Sequence, residues 1–259
     1  MKKLNTYRLL TGFAWLMLLA VVVFAFSAKD ANPCASVIVL IQDQEEGRFV
    51  NYEEVNQWVE NWCGEFGKPE GLPEQLSLLE HRISQHPAVA SVQAWQGVNG
   101  QLYVEVWQRK PVARLVNLRG EHAYLDESGT TFPADLGDPA RVMLVTGNLA
   151  FTASGDCADS NSVLNEVFQW VQPIIRSDFW LPFTEQLHRN SAGDFLLAPK
   201  LGRHLVLLGK SQQQNGILTK LEHFYRQVLG PDGWNEYQLI DARFKHQVVC
   251  SKTEYLPIK

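Results

Sequence analysis

Residue pairs suited to catalysis are few and poorly spaced in this 259-residue chain. His246 and Cys250 pair a base with a nucleophile by type, but four positions along an extended strand separate them by about 13 Å, too far for proton transfer. His81 and His86 are five apart, off a single helical face, and Pro87 argues for a helix end there. Ala153-Ser154-Gly155-Asp156 and Glu127-Ser128-Gly129 place their serines in turn chemistry. No GxSxG elbow, HExxH helix or Walker A loop occurs. Cys34, Cys63, Cys157 and Cys250 lack CxxC spacing, so neither a zinc knuckle nor a thioredoxin-like redox motif is suggested. They are either free thiols or disulfide partners; all pairings stay open, and a Cys34–Cys63 bridge would close a loop worth about 3–4 kcal/mol. The chain therefore reads as a binding protein rather than an enzyme, with no catalytic residue, cofactor site or metal site assigned.

Composition narrows the partners. With 23 basic and 28 acidic residues the formal charge is -5, and no Lys/Arg block occurs beyond the first eight residues, so the electrostatic footprint of a nucleic-acid binder is missing. Residues Leu9 to Ala28 form an uncharged, mostly apolar run, about 30 Å long as a helix and matched to a bilayer's hydrocarbon thickness. Lys2, Lys3 and Arg8 precede it, which by the positive-inside bias puts residues 1–8 in the cytoplasm and residues 29–259 across the membrane. A cleaved signal peptide and a buried helix are the rival readings of this run.

The remaining residues must position any binding surface. Ser36 to Ile41 is a β-branched strand, and Asn51 is placed to cap a helix carrying Val55, Trp58, Val59 and Trp62 on one stripe, with Glu54 in the reciprocal capping position. Leu76, Leu79 and Ile83 mark a second helix before Pro87. Val89 to Gln96 and Gln101 to Trp107 follow as strands, with Trp58 and Trp62 expected to pack on the sheet. From Pro111 the pattern changes to short strands at 112–116, 123–126, 142–146, 181–187, 194–199, 204–208, 238–241 and 247–250. Helices are expected at 163–175, bent or ended by Pro173, and at 220–229, closed by Gly230-Pro231.

The expected fold class is thus α+β: a single N-terminal transmembrane helix, a small strand-helix-helix-strand-strand domain, then a mainly antiparallel β domain with packed helices. The boundaries are a cytoplasmic tail 1–8, the span 9–28, domains 29–110 and 111–251, and a C-terminal tail 252–259.

Several segments carry a family likeness in order. They are His86-Pro87-Ala88-Val89, Leu102 to Val106 running into Gln108-Arg109-Lys110-Pro111-Val112-Ala113-Arg114, and Ala123-Tyr124-Leu125-Asp126 with Gly129 and Pro133. Arg141 to Gly147, Lys220-Leu221, Gly233 to Tyr237, Ile240 to Phe244 and Gln247 to Cys250 complete the series. Through these the chain resembles the FtsQ/DivIB family of bacterial division proteins, and its first domain is similar to a POTRA domain. Ala242 stands where Leu is common in that family, and Phe244, lacking a hydroxyl, where Tyr is common.

The resemblance implies a non-enzymatic divisome scaffold that links early and late division proteins and supports septal cell-wall synthesis. Its implied partners are FtsB-like and FtsL-like proteins, with other divisome components reached through the POTRA-like domain. The implied location is the inner membrane, single-pass, enriched at the division septum. A terminal strand left at a sheet edge offers unpaired backbone groups to a partner strand, which makes Arg243, Phe244, His246, Gln247, Val248, Val249 and Cys250 the candidate partner-binding residues. Arg243 would meet an acidic residue and Phe244 an apolar pocket; an ordinary core strand is the bland alternative. The alternative functions are a POTRA-containing envelope assembly or chaperone-like module and a cell-wall enzyme.

Overall fold

The computed structural model describes residues 13–21, 36–45, 47–66, 72–97, 100–153, 155, 162–213, 216–229 and 234–252. Of the apolar run 9–28, the described part is a helix over residues 13–21, α1, and residues 9–12 and 22–28 lie outside the described residues. Among the described residues no helix is long and apolar enough to cross a membrane. This corrects the expected transmembrane helix, and with it the single-pass inner-membrane location that rested on that helix.

The rest of the chain forms two compact units that divide between Gln108 and Arg109, with Glu45–Gly47 grouped with the second. The first unit contains β1 (Val37–Gln42), α2 (Tyr52–Phe66), α3 (Leu72–Ser84), β2 (Val89–Gln96) and β3 (Leu102–Gln108). Its sheet runs β1-β3-β2, with β1 parallel and β2 antiparallel to the central β3. Alternation explains the central strand: Leu102, Val104 and Val106 are fully buried, while Tyr103, Glu105 and Trp107 on the other face are half-buried.

Val55, Val59 and Trp62 of α2 and Leu76, Leu79 and Ile83 of α3 supply the matching apolar stripes. The Asn51 side chain accepts the N–H of Glu53 (2.9 Å), so α2 starts where its cap allows. The buried Trp62 indole donates to the carbonyl of Gln75 (3.0 Å), tying α2 to α3. Cys63 is in a disulfide and Cys250 is a free thiol, so the bonded partner of Cys63 lies outside the described residues. The reading in which all four cysteines are free is thereby excluded.

The second unit holds β4 (Pro111–Asn117), β5 (His122–Asp126), β6 (Thr131–Pro133), β7 (Met143–Gly147), α4 (Val163–Ile175), α5 (Trp180–Phe183) and β8 (Thr184–Arg189). There follow β9 (Phe195–Pro199), β10 (Leu205–Gly209), α6 (Ile217–His223) with a wider π-helical continuation over Phe224–Leu229, β11 (Leu239–Asp241) and β12 (Val249–Ser251). The nine-stranded sheet has the order β12-β11-β10-β9-β8-β7-β4-β5-β6. One apolar core joins Leu115, Val145, Leu187 and Leu197 of the sheet to Trp170, Val171 and Ile174 of α4 and Leu221 of α6.

The sheet is mainly antiparallel, as expected, but three of its pairs, β4 with β7, β7 with β8, and β10 with β11, are parallel. The physical cause is the crossover, since α4 and α5 carry the chain from β7 to β8 and α6 carries it from β10 to β11. A difference from the expectation lies at 181–183, expected as the start of a strand but helical as part of α5, where Trp180 and Phe183 bury into the core before β8 begins. Pro173 sits in the last turn of α4 without ending it, because the helix stops two residues later. Gly147 closes β7 at φ 109°, and a Cβ there would stand 2.1 Å from the Arg189 carbonyl oxygen, so only glycine fits beside β8.

Candidate protein-binding edge

Strand β12 is the last strand of the nine-stranded sheet. It pairs antiparallel with β11, Asp241 facing Val249, Ile240 facing Cys250 and Leu239 facing Ser251, and no strand among the described residues flanks its other side. Its two inward-leaning neighbours hold it down: Val248 and Cys250 are half-buried and pack against the main core. Val249 is 45% exposed and Phe244, in the turn before the strand, 44% exposed. His246, Gln247 and Arg243 are exposed as well. The seven residues singled out in the sequence therefore divide into an outward set and the two anchors Val248 and Cys250.

The approach to β12 is organised by a residue that the sequence showed only within a family segment, not as a site residue. Lys220 of α6 donates from Nζ to the carbonyl of Ala242 (2.7 Å), to that of Phe244 and, more distantly, to that of Gln247 (3.4 Å). One ammonium thus gathers the loop that carries Phe244 and delivers the chain into the edge strand. Burial pushes the Lys220 ammonium below its ordinary range, while Asp241 opposes that shift. The only sequence trace of this role is a lysine on an otherwise amphipathic helix, since its acceptors lie more than twenty positions away.

Arg243 is engaged within the chain. Its guanidinium holds both oxygens of Asp241, at 3.0 Å from Nε and 2.8 Å from Nη2, and lies 3.9 Å from Asp194. An acidic partner residue must therefore compete with two carboxylates already in place. Beneath the edge, His204 Nδ1 lies 2.9 Å from the Trp234 carbonyl, which only accepts, so Nδ1 carries the proton and Nε2 accepts from the Tyr225 hydroxyl. Burial lowers His204 below its ordinary value and raises Tyr225, with the neighbouring Cys250 adding to the second effect. Burial also raises the Cys250 thiol, so it is protonated at neutral pH and a poor nucleophile. Among the described residues no three His, Cys, Asp or Glu side chains converge as a metal site.

Residues 110–251, more than half the chain and all of the sheet that ends in β12, match the family model described as FtsQ/DivIB, C-terminal related. The chain belongs to the FtsQ/DivIB family. It is also 31% identical over 179 residues to the Cell division protein FtsQ of Salinibacter ruber, covering 66% of this chain and 68% of that protein. As an FtsQ/DivIB member it is a cell division protein, whose work lies in protein–protein contacts of the division machinery. The FtsQ/DivIB match includes Lys220, the Arg243 loop and β12 within one continuous segment.

Proposed function

We propose that the chain is a non-enzymatic scaffold of the division machinery that captures an FtsB-like partner by adding a strand to β12. It links earlier to later division proteins in support of septal cell-wall synthesis, with an FtsL-like protein joining through the FtsB-like one. The observation that carries this reading is the position of β12 at the end of its sheet, with Phe244 and Val249 outward and the loop before it gathered by Lys220. Backbone pairing along Val249–Ser251 sets the register of the incoming strand, and Phe244 and Val249 offer it apolar contact. Other division components engage the first unit, whose strand-helix-helix-strand-strand order is that of a POTRA domain.

Co-purification of the full chain with FtsB-like and FtsL-like proteins tests the reading. Partner retention is expected to fall at least about tenfold in the double variant Phe244→Ala with Val249→Asp, which removes the apolar contact and puts a charge on the edge. Undiminished retention by that variant, with an unchanged circular dichroism spectrum, would sink the proposal.

A further inference from the structure

In the second unit, away from β12, a cleft of about 880 Å³ opens where β4, β7 and β8 begin and α4 ends. Its lining is rich in cations: Arg141, Arg176 and Lys200 are exposed and have no ion-pair partner among the described residues, and Lys110 adds a fourth positive charge. Only Glu127 and Glu185 oppose them, so a chain with a formal charge of -5 carries here a local surplus of cations. By contrast Arg109, Arg119, Arg189, Arg226 and Arg243 are each held by a carboxylate of the protein itself. Arg141, Arg176 and Lys200, left without such partners among the described residues, focus a positive field into the cleft.

A second and independent feature lies in the wall. Thr184, the first residue of β8, is 1% exposed, and its hydroxyl has no hydrogen-bond partner. A buried hydroxyl left unmet costs free energy, and a small shift of the wall that brings it to a ligand acceptor recovers that cost.

We propose that this cleft docks an acidic, extended peptide segment of a partner protein, at a site distinct from the β12 edge. Charge complementarity selects the occupant: carboxylates of the segment meet Arg141, Arg176 and Lys200. The apolar side chains of Met143, Ile175 and Leu181 in the same lining give its apolar residues a surface to cover. The two carboxylates in the cleft decide against a polyphosphate, which Glu127 and Glu185 repel, whereas a peptide offers them backbone N–H groups. The volume, near the top of the range of about 300–1,000 Å³ usual for ligand clefts, also exceeds what a single small anion fills.

Fluorescence anisotropy of a labelled peptide of alternating Glu and Leu, titrated with the full chain at low salt, tests the proposal. Saturable binding is expected, weakened at least about tenfold in Arg141→Glu with Arg176→Glu and weakened similarly when the peptide's Glu are replaced by Gln. Thr184→Val, which keeps the shape of the side chain, is expected to weaken binding about threefold without lowering thermal stability, an outcome that a purely structural hydroxyl would not give. The Phe244→Ala with Val249→Asp variant is expected to bind the peptide normally, which separates this site from the edge strand. The proposal would be overturned by no binding by the unaltered chain, by unchanged binding by the charge-reversed variant when its circular dichroism is unaltered, or by equal displacement of the peptide by inorganic polyphosphate. Loss of peptide binding in the edge variant alone would assign the peptide to β12 and would also overturn it.

Discussion

The two units treat the edges of their sheets in the same uneven way. In the first, the outer strand β2 is eight residues long, and Glu80 of α3 reaches across to accept the backbone N–H of Ala94 (2.7 Å). In the second, the outer strand β6 is met by its own chain: Thr131 donates its N–H to the Gly155 carbonyl (2.8 Å), and its hydroxyl accepts from the Gly155 N–H (2.7 Å). Pro133 ends that strand with no N–H to offer. The opposite edges, β1 and β12, have a strand on one side only among the described residues. An edge is therefore distinguished less by its length than by whether the chain supplies its own partner for the outward amides. The docking role proposed for β12 therefore turns on what its outward side meets rather than on its length, which is shorter than that of β2.

The largest expected effect on this contrast comes from Lys220→Met. Removing the ammonium that gathers the Ala242, Phe244 and Gln247 carbonyls should cost about 1–2 kcal/mol in urea unfolding and speed hydrogen exchange at Val249–Ser251 well beyond that at β6. Equal exchange at the two edges would show that the loop does not hold β12 in place. A smaller change is expected from Glu80→Ala, which uncaps Ala94 at a cost of about 0.5–1 kcal/mol. If the cap protects the edge, this variant should self-associate more than the unaltered chain in analytical ultracentrifugation; an unchanged monomer fraction would remove Glu80 from the comparison.

The smallest effect is on pH dependence. His86 in the first unit and His188 and His204 in the second all lie below the ordinary value of 6.5, in each case chiefly through burial. A histidine depressed in the folded state is neutral there while the unfolded chain takes up its proton. Its contribution is therefore intact above pH 6.5 and is lost as the pH falls through the lowered folded value. Unfolding midpoints should drop on going from about pH 7.5 to about pH 5.5, and His204→Gln should shrink that drop for the second unit while leaving the first unit's share intact. A drop of the same size in the variant would place the acid sensitivity at His188 instead.

Much of the local structure was legible in the residues. Helix α4 begins and ends where the spacing of Leu164, Val167, Val171 and Ile174 puts it, and β2 occupies the expected segment from Val89 to Gln96. Asn51 starts α2 as a capping residue should. Leu181-Pro182-Phe183 was misleading, because a short apolar run reads the same in either conformation; packing of Trp180 and Phe183 into the core decides for the helix. The run at 9–28 misled in the other direction, since its hydropathy alone suggested a span, whereas among the described residues no helix is long and apolar enough to cross a membrane.

At the β12 edge, Gln247 to Cys250 read as a strand, but that Val248 and Cys250 face the core while Val249 faces outward came only from the packing. What the sequence by itself determined was therefore the identity of most elements and the membership of the family, because caps, periodicity and ordered motifs are local. Only the tertiary structure decided that β12 is an outermost strand, that Arg243 is already taken by Asp241, and that Lys220 gathers the loop before the edge. Arg141, Arg176, Lys200 and Thr184 likewise meet at one cleft only when β7, α4, β8 and the end of β9 are brought side by side. Each of these depends on contacts between residues far apart in the chain, which no local pattern encodes.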